Sequence, residues 1–284
     1  MKILIFGANG MLGKAMVKML SQNLDLQIYA SEYITKNSVI RSRVNYLTCN
    51  VLNSVELENI INKICPHVVI NCVSPPRATL RLGDPLHLIP LCTLLPHRLN
   101  RLCQETDSQF IHISTDAVFS GRRGFYVETD EPDPVDNYGR AKLLGEVTSI
   151  NSISIRTSII GHENGQGDGL LDWFLRQKVS CKCYTKSFFS GIPVSILTKI
   201  IADYVIGNKN LHGIYNIASA PISKYSLLSI VADTYKLPIE ILPDENLIID
   251  RSLSPVKFNN VTGFVAPSWI EMVNSMYADH FERI

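Results

Sequence analysis

The chain has 284 residues, room for one large α/β domain or for a core domain with a smaller lobe, and enough volume for a proper buried core. Hydrophobic residues make up 46% and charged residues 19%, an ordinary globular balance, while a formal charge of +1 gives no field to draw in nucleic acid or an anionic membrane, so an anionic ligand must be held by local donors. The seven cysteines are odd in number and sit mostly in apolar stretches, which points to free thiols in a reducing cytoplasm, and no run of about 18 apolar residues offers a membrane span.

Met1 leads straight into an apolar run, Lys2–Phe6, with no basic leader, so no signal peptide is expected. This run reads as a strand, and Lys14–Leu20 reads as a helix. Between them Gly7, Gly10 and Gly13 form G-x-x-G-x-x-G. Gly7 permits a tight turn, Gly10 lets backbone approach a diphosphate, and Gly13 lets the helix pack on the strand. The helix N-terminus then offers N–H groups and a positive dipole end to an anion. Any strand-to-helix turn can use glycine, but the order strand, glycines, helix favours a phosphate cradle. A second strand, Leu26–Ala30, ends near Ser31. An acidic residue there would bind ribose hydroxyls, whereas Ser31 leaves room for a 2′-phosphate that Arg41 and Arg43 would neutralise. Glu32 argues the other way. The balance leans to NADP(H), with NAD(H) open.

Further strands follow at Asn45–Cys49, His67–Asn71, Gln109–Ile113 and Ile153–Arg156. Helices fill the gaps at Ser54–Ile64 (stopped by Pro66), at Leu88–Gln104 with a kink at Pro96, and at Asn137–Val147. This alternation predicts a Rossmann-type, doubly wound parallel sheet. After Gly161 the rhythm changes. Short strands at Ile214–Ile217 and Ile239–Leu242 mix with helices around Ser195–Val205, Tyr225–Tyr235 and Ser268–Tyr277. Residues 1–160 are therefore expected to form a dinucleotide-binding domain. Residues 161–284 are expected to form mainly a smaller α/β substrate lobe, with segments free to return to the first.

Tyr138 and Lys142 stand four apart near the start of a predicted helix, so both lie on one face. A neighbouring ammonium favours phenolate, and such a tyrosine can hand a proton to a carbonyl oxygen. By itself Y-x-x-x-K is common on helices. Upstream, Ser114-Thr115-Asp116 follows the fifth strand, where Thr115 would meet a ligand and steady developing charge. The plainer alternative is a turn or a helix cap made by Ser114 or Asp116.

These three signals, in this order, resemble the extended short-chain dehydrogenase/reductase superfamily. Within it, ISTDAVFSG, ETDEP, NYGRAKLLGE and IRTSIIG are similar to the dTDP-4-dehydrorhamnose reductase group, and the likeness continues through GIYNIA at Gly213–Ala218 and through Ser223–Tyr225. The resemblance implies a reductase of a nucleotide-linked 4-keto-6-deoxy sugar, with Thr115, Tyr138 and Lys142 as the catalytic set. It implies that Gly7, Asn9, Gly10, Met11, Leu12 and Gly13 line the diphosphate, that Asn50 and Val51 touch adenine, and that Cys72, Val73 and Ser74 run beside the cofactor ribose. Asp116 and Arg251 would meet the substrate; a homodimer is open.

The chain departs from the group at Ala117, where tyrosine is usual, at Cys92, where an asparagine is expected, and at Ile159, where tryptophan is frequent. The sugar pocket is therefore altered, and a UDP-linked N-acetylated hexulose is as good a candidate as the rhamnose precursor. Two other functions compete. One is an epimerase, which recycles its cofactor; the other is a binding subunit like the regulatory subunit of methionine adenosyltransferase. Arg77 and Arg81 read as loop residues, Trp173 as core, and His97 and His112 as packed neutral imidazoles. Cys181 and Cys183 read as structural, and no ligand spacing points to a metal.

Overall fold

The computed structural model describes residues 1–33, 43–163 and 169–281. The chain divides into two compact units: Met1–Thr115, Pro134–Arg156 and Thr198–Tyr215 form the first; Asp116–Asp133, Thr157–Leu197 and Asn216–Ile284 form the second.

The first unit is built on β1 (Lys2–Phe6), β2 (Gln27–Glu32), β3 (Val44–Thr48), β4 (Val68–Asn71), β5 (Gln109–Ile113) and β6 (Ser152–Arg156). They pair in parallel in the order β3-β2-β1-β4-β5-β6, and Gly213–Asn216 lies beyond β6 at the edge. The chain reverses direction across the sheet between β1 and β4, and the crevice beyond the ends of such strands is where ligands settle. A parallel sheet covered on both faces needs strands that are apolar on both, and β4, β5 and β6 are buried at every residue.

The helices of this unit are α1 (Met11–Leu20), α2 (Ser54–Ile64), α3 (Arg77–Leu82), α4 (Pro85–Leu88), α5 (Leu95–Glu105) and α6 (Asn137–Leu144). Leu57 and Ile61 of α2 and Leu95 and Leu99 of α5 pack with Leu4, Phe6, Val69 and Phe110 of the sheet. α2 starts where Asn53 accepts the N–H groups of Val55 and Glu56, and it stops at Cys65 in a left-handed conformation just before Pro66. Arg77 and Arg81 lie on α3, not in a loop. The helix expected over Leu88–Gln104 is interrupted: Ile89–Leu94 forms a π-helical turn between α4 and α5. Pro96 has no N–H for the carbonyl of Cys92, four residues back, and its ring crowds that carbonyl, so the turn widens.

The second unit holds small sheets and two long helices. Ser187–Phe189 pairs with Ile222–Ser223 and Ile249–Asp250, and Ser180–Tyr184 pairs with Glu240–Asp244. Leu227, Leu228 and Val231 of Lys224–Tyr235 pack against Met272, Val273 and Met276 of Trp269–Phe281, with Cys181 and Cys183 in the same core. One expectation needs correction here: Trp173 is 37% exposed, because its helix turns Leu171 and Phe174 inward instead. The strand predicted at Ile214–Ile217 is found at Gly213–Asn216 on the edge of the large sheet, one of the segments left free to return to it.

Candidate active site

The glycine turn between β1 and α1 is shaped by close backbone contacts. Gly7 has φ +78, and a Cβ there would lie 2.8 Å from the carbonyl carbon of Cys72. A Cβ on Gly13 would lie 2.1 Å from the Gly7 carbonyl oxygen. These two glycines are demanded by packing. Gly10 is different: it is extended, and a Cβ there would meet only the Gly7 oxygen at 3.4 Å and the Cys72 oxygen at 4.0 Å. Gly10 caps α1 without any side-chain hydrogen bond, and Asn9 and Gly10 are exposed. The first-turn N–H groups of α1 thus have no side-chain cap, the condition for receiving a phosphate. Met11 and Leu12 open that turn, Leu12 facing the core.

β2 runs to Glu32, so the strand does not end at Ser31 as expected. Ser31 is buried, its carbonyl accepts the N–H of Ala8 at 3.1 Å, and its hydroxyl meets the Cys49 thiol, whose burial pushes it up to about 11. Arg43 is exposed, and Arg41 lies outside the described residues. After β3, the side chain of Asn50 accepts the N–H of Leu52, and its own N–H donates to Glu56 at 2.8 Å. Val51 packs at the edge of the apolar layer.

At the end of β4, Cys72 donates its N–H to the Phe6 carbonyl, and Val73 donates its N–H to Asn71 Oδ1 at 3.2 Å. Cys72 is pushed up to about 12 by burial, so the thiol stays protonated. Ser74 follows, exposed.

Tyr138 and Lys142 both lie on α6, which begins where Asp136 accepts the N–H of Gly139 at 2.7 Å. Tyr138 is half-buried against Leu88, Cys92 and Ala141. Lys142 is 4% exposed, and its Nζ donates to the Ile113 carbonyl at 2.7 Å, its one hydrogen bond among the described residues. Burial holds its ammonium below the ordinary lysine range, opposed by Cys92, Glu146 and Cys72. The two thiols are themselves raised by burial and carry no charge near neutrality, so the nearby carboxylate is Glu146. Thr115 is buried two residues beyond Ile113.

α6 is pinned to the π-helical turn. Thr93 Oγ1 donates to Ala141 O at 2.7 Å, and the His97 ring meets Leu144 O at 2.7 Å. His97 is exposed, not packed inside as expected, because α6 offers it an unsatisfied end carbonyl. Gly145 closes the helix so tightly that a Cβ would lie 1.9 Å from Cys92 O.

In the second unit, Asp116 opens a short 3-10 turn, and Arg251 lays its stem across Gly121, where a Cβ would lie 2.9 Å from Arg251 Cγ. Lys224, at the head of a 12-residue helix, feels both: burial and Arg251 lower its pKa, and Asp116 opposes them. Among the described residues no cluster of His, Cys, Asp or Glu is placed to hold a metal, and no helix is long and apolar enough to cross a membrane.

The family model for the RmlD substrate-binding domain matches residues 1–168, which includes the glycine turn, Thr115, Tyr138 and Lys142. The chain belongs to the RmlD substrate-binding domain family. It is 28% identical over 251 residues to methionine adenosyltransferase 2 subunit beta of Danio rerio, a match covering 84% of this chain and 75% of that protein. It is 29% identical over 174 residues to a probable low-salt glycan biosynthesis reductase of Haloferax volcanii, covering 59% of this chain and 56% of that relative. Among solved structures, dTDP-4-dehydrorhamnose reductase from Bacillus anthracis in complex with NADP superposes with a TM-score of 0.77 at 19% identity, covering 98% of this chain and 99% of that one. At that identity the likeness is one of fold.

Three features of the described residues were not singled out by the reading of the sequence. Arg156 grips Glu146 with two nitrogens at 2.8 Å each, both side chains buried, and Ser114 Oγ donates to the same carboxylate at 2.7 Å. Ser114 is thus a brace for α6 and β6 and neither a turn nor a cap. The signal was an arginine ending the apolar run SISIR and a glutamate ending NYGRAKLLGE. Asn71 and His112, polar residues at the ends of two buried strands, meet at 3.2 Å. Lys224 was passed over inside Ser223–Tyr225.

Proposed function

We propose that the protein is an NAD(P)H-dependent reductase of a nucleotide-linked 4-keto-6-deoxy sugar, serving polysaccharide precursor synthesis. The observation that carries this reading is Lys142. A buried ammonium is costly unless its donors are satisfied, and among the described residues one carbonyl takes one of three. The other two donors suit a cofactor ribose and the Tyr138 phenol one helical turn away. The glycine cradle fits a dinucleotide, since Gly7 and Gly13 cannot carry a side chain and Gly10 has room for a phosphate against backbone. Gly7 to Gly13 would hold the diphosphate, Asn50 and Val51 the adenine, and Cys72 to Ser74 the ribose.

When bound, the nicotinamide supplies a hydride to the sugar carbonyl carbon. Tyr138 would donate the proton to the carbonyl oxygen, Thr115 would donate a hydrogen bond to the same oxygen, and Lys142, one helical turn along, would orient the cofactor ribose beside them. Asp116 and Arg251 contact the nucleotide sugar. β2 ending at Glu32 favours free ribose hydroxyls, whereas Ser31 and Arg43 favour the 2′-phosphate, so NADPH and NADH are compared directly by titration. The deciding experiment follows NADPH oxidation against a panel of dTDP- and UDP-linked 4-keto-6-deoxy sugars. One NADPH consumed per product supports a reductase; product without net consumption means an epimerase.

A second reading has its own support. The match to methionine adenosyltransferase 2 subunit beta spans more of the chain than the match to the glycan reductase. If no sugar is reduced and the chain co-purifies with a methionine adenosyltransferase catalytic chain, it is an NADP-binding subunit.

A further inference from the structure

Asn71 on β4 and His112 on β5 are direct cross-strand partners, and both are about 1% exposed. Their side chains meet, Asn71 Nδ2 to His112 Nδ1 at 3.2 Å. The amide cannot be turned round, because Asn71 Oδ1 already accepts the N–H of Val73 at 3.2 Å. Nδ2 is therefore the donor toward His112, and Nδ1 must be the acceptor. A neutral ring with a bare Nδ1 carries its proton on Nε2. That Nε2 is buried and meets no acceptor among the described residues.

The orphaned N–H makes the imidazole an odd choice for packing alone. The ring stacks on Phe110, centroids 6.2 Å apart and planes 13° from parallel, which a phenyl ring would do equally well without an orphan. What a phenyl ring would lose is the acceptor for Asn71. Asn71 in turn sets the direction of the Val73 N–H, at the point where the chain leaves β4 and lies against Gly7, 2.8 Å from an imagined Cβ on that glycine. The next residue along from His112 is Ile113, whose carbonyl holds Lys142.

We propose that His112, as the neutral Nε2–H tautomer, is a positioning residue for the dinucleotide: through Asn71 it fixes the backbone at Cys72–Ser74 that walls the glycine cradle. This rests on the cofactor reading of that cradle. Burial, and the Lys142 charge, hold the ring well below the usual histidine range, so the tautomer persists across the working pH.

The test uses the full chain, with NADPH and NADH as probes. Nitrogen-15 NMR of the His112 ring reads the tautomer directly, and a protonated Nδ1 near neutral pH overturns the proposal. In binding titrations, His112→Phe should raise the dinucleotide Kd about tenfold, the scale of one misdirected hydrogen-bonding group. His112→Gln keeps an acceptor for Asn71 and should bind within about twofold of wild type, even where its melting temperature falls as far as that of the Phe variant. A merely structural histidine would give two variants whose affinities fall together with stability, which sinks the proposal. Wild-type binding with an unchanged Phe variant removes the positioning role alone. Wild type binding neither dinucleotide removes the cofactor reading and the positioning role together.

Discussion

Lys142 and His112 are both buried bases near the end of β5, and they meet burial in different ways. The lysine donates to the Ile113 carbonyl while burial lowers its pKa; the histidine, lowered well below its usual range, gives its charge up. For His112 the consequence for stability has a definite sign. Its folded pKa is lowered, so the unfolded chain takes up the proton more readily as pH falls below the ordinary histidine range near 6.5. Stability is full above that range and declines below it, by up to about 1.4 kcal/mol per pH unit for one proton. His112→Phe removes the titrating group, so urea unfolding between pH 7 and pH 5 should show a shallower loss in the variant; equal slopes would contradict a neutral buried ring. Tyr138→Phe addresses chemistry instead. Removing the phenol hydroxyl should lower kcat by about 10²–10⁴ and leave NADPH affinity close to wild type, since the ring still packs on Cys92 and Ala141. Retention of most of the rate would identify another acid. That Tyr138 and Lys142 share one helix was legible from their spacing. His112 was legible only as a packed imidazole, because its meaning depends on Asn71, forty-one residues away in the chain.

At the scale of elements, the strand-and-helix alternation was legible because a parallel sheet buried on both faces writes itself as short unbroken apolar runs. The helix after β4 was misjudged in its shape. Pro96 in an apolar, helically spaced stretch reads as a kink, whereas the backbone relieves it with a π-helical turn. That turn exposes the Cys92 carbonyl toward Gly145 and lets α6 close in. Gly145 has an ordinary helical conformation, so the constraint there is space and not φ. Gly145→Ala must therefore push α6 away from Cys92. We expect a loss of about 1–3 kcal/mol in urea unfolding, the usual range for overpacking. Because Lys142 sits one turn earlier on α6, kcat should fall as well. An alanine variant as stable as wild type would mean that this close approach is slack.

The fold class of the whole molecule was readable from the first hundred and fifty or so residues, but which segments after residue 160 return to the large sheet was not. GIYN has the same composition whether it edges a large sheet or a small one, and only long-range pairing decides. The first unit takes back Thr198–Tyr215, and it does so with specific bonds. Gln109, buried at the start of β5, donates to the Val205 carbonyl at 2.9 Å and accepts the N–H of Gly207 at 2.8 Å. Ile200, Ile201, Val205 and Leu211 of the same segment are almost wholly buried. A fragment ending at residue 160 would lose those four side chains and leave Gln109 without the Val205 and Gly207 groups it bonds. It would also strip the neighbour from β6, baring a strand edge. Such a fragment should therefore lack a cooperative urea transition and should associate, whereas the full chain should unfold cooperatively. Adding residues 198–215 back through a flexible linker, with Pro134–Arg156 intact, should recover a transition. A fragment 1–160 that unfolds cooperatively as a monomer would show that the sheet is complete without its returning edge.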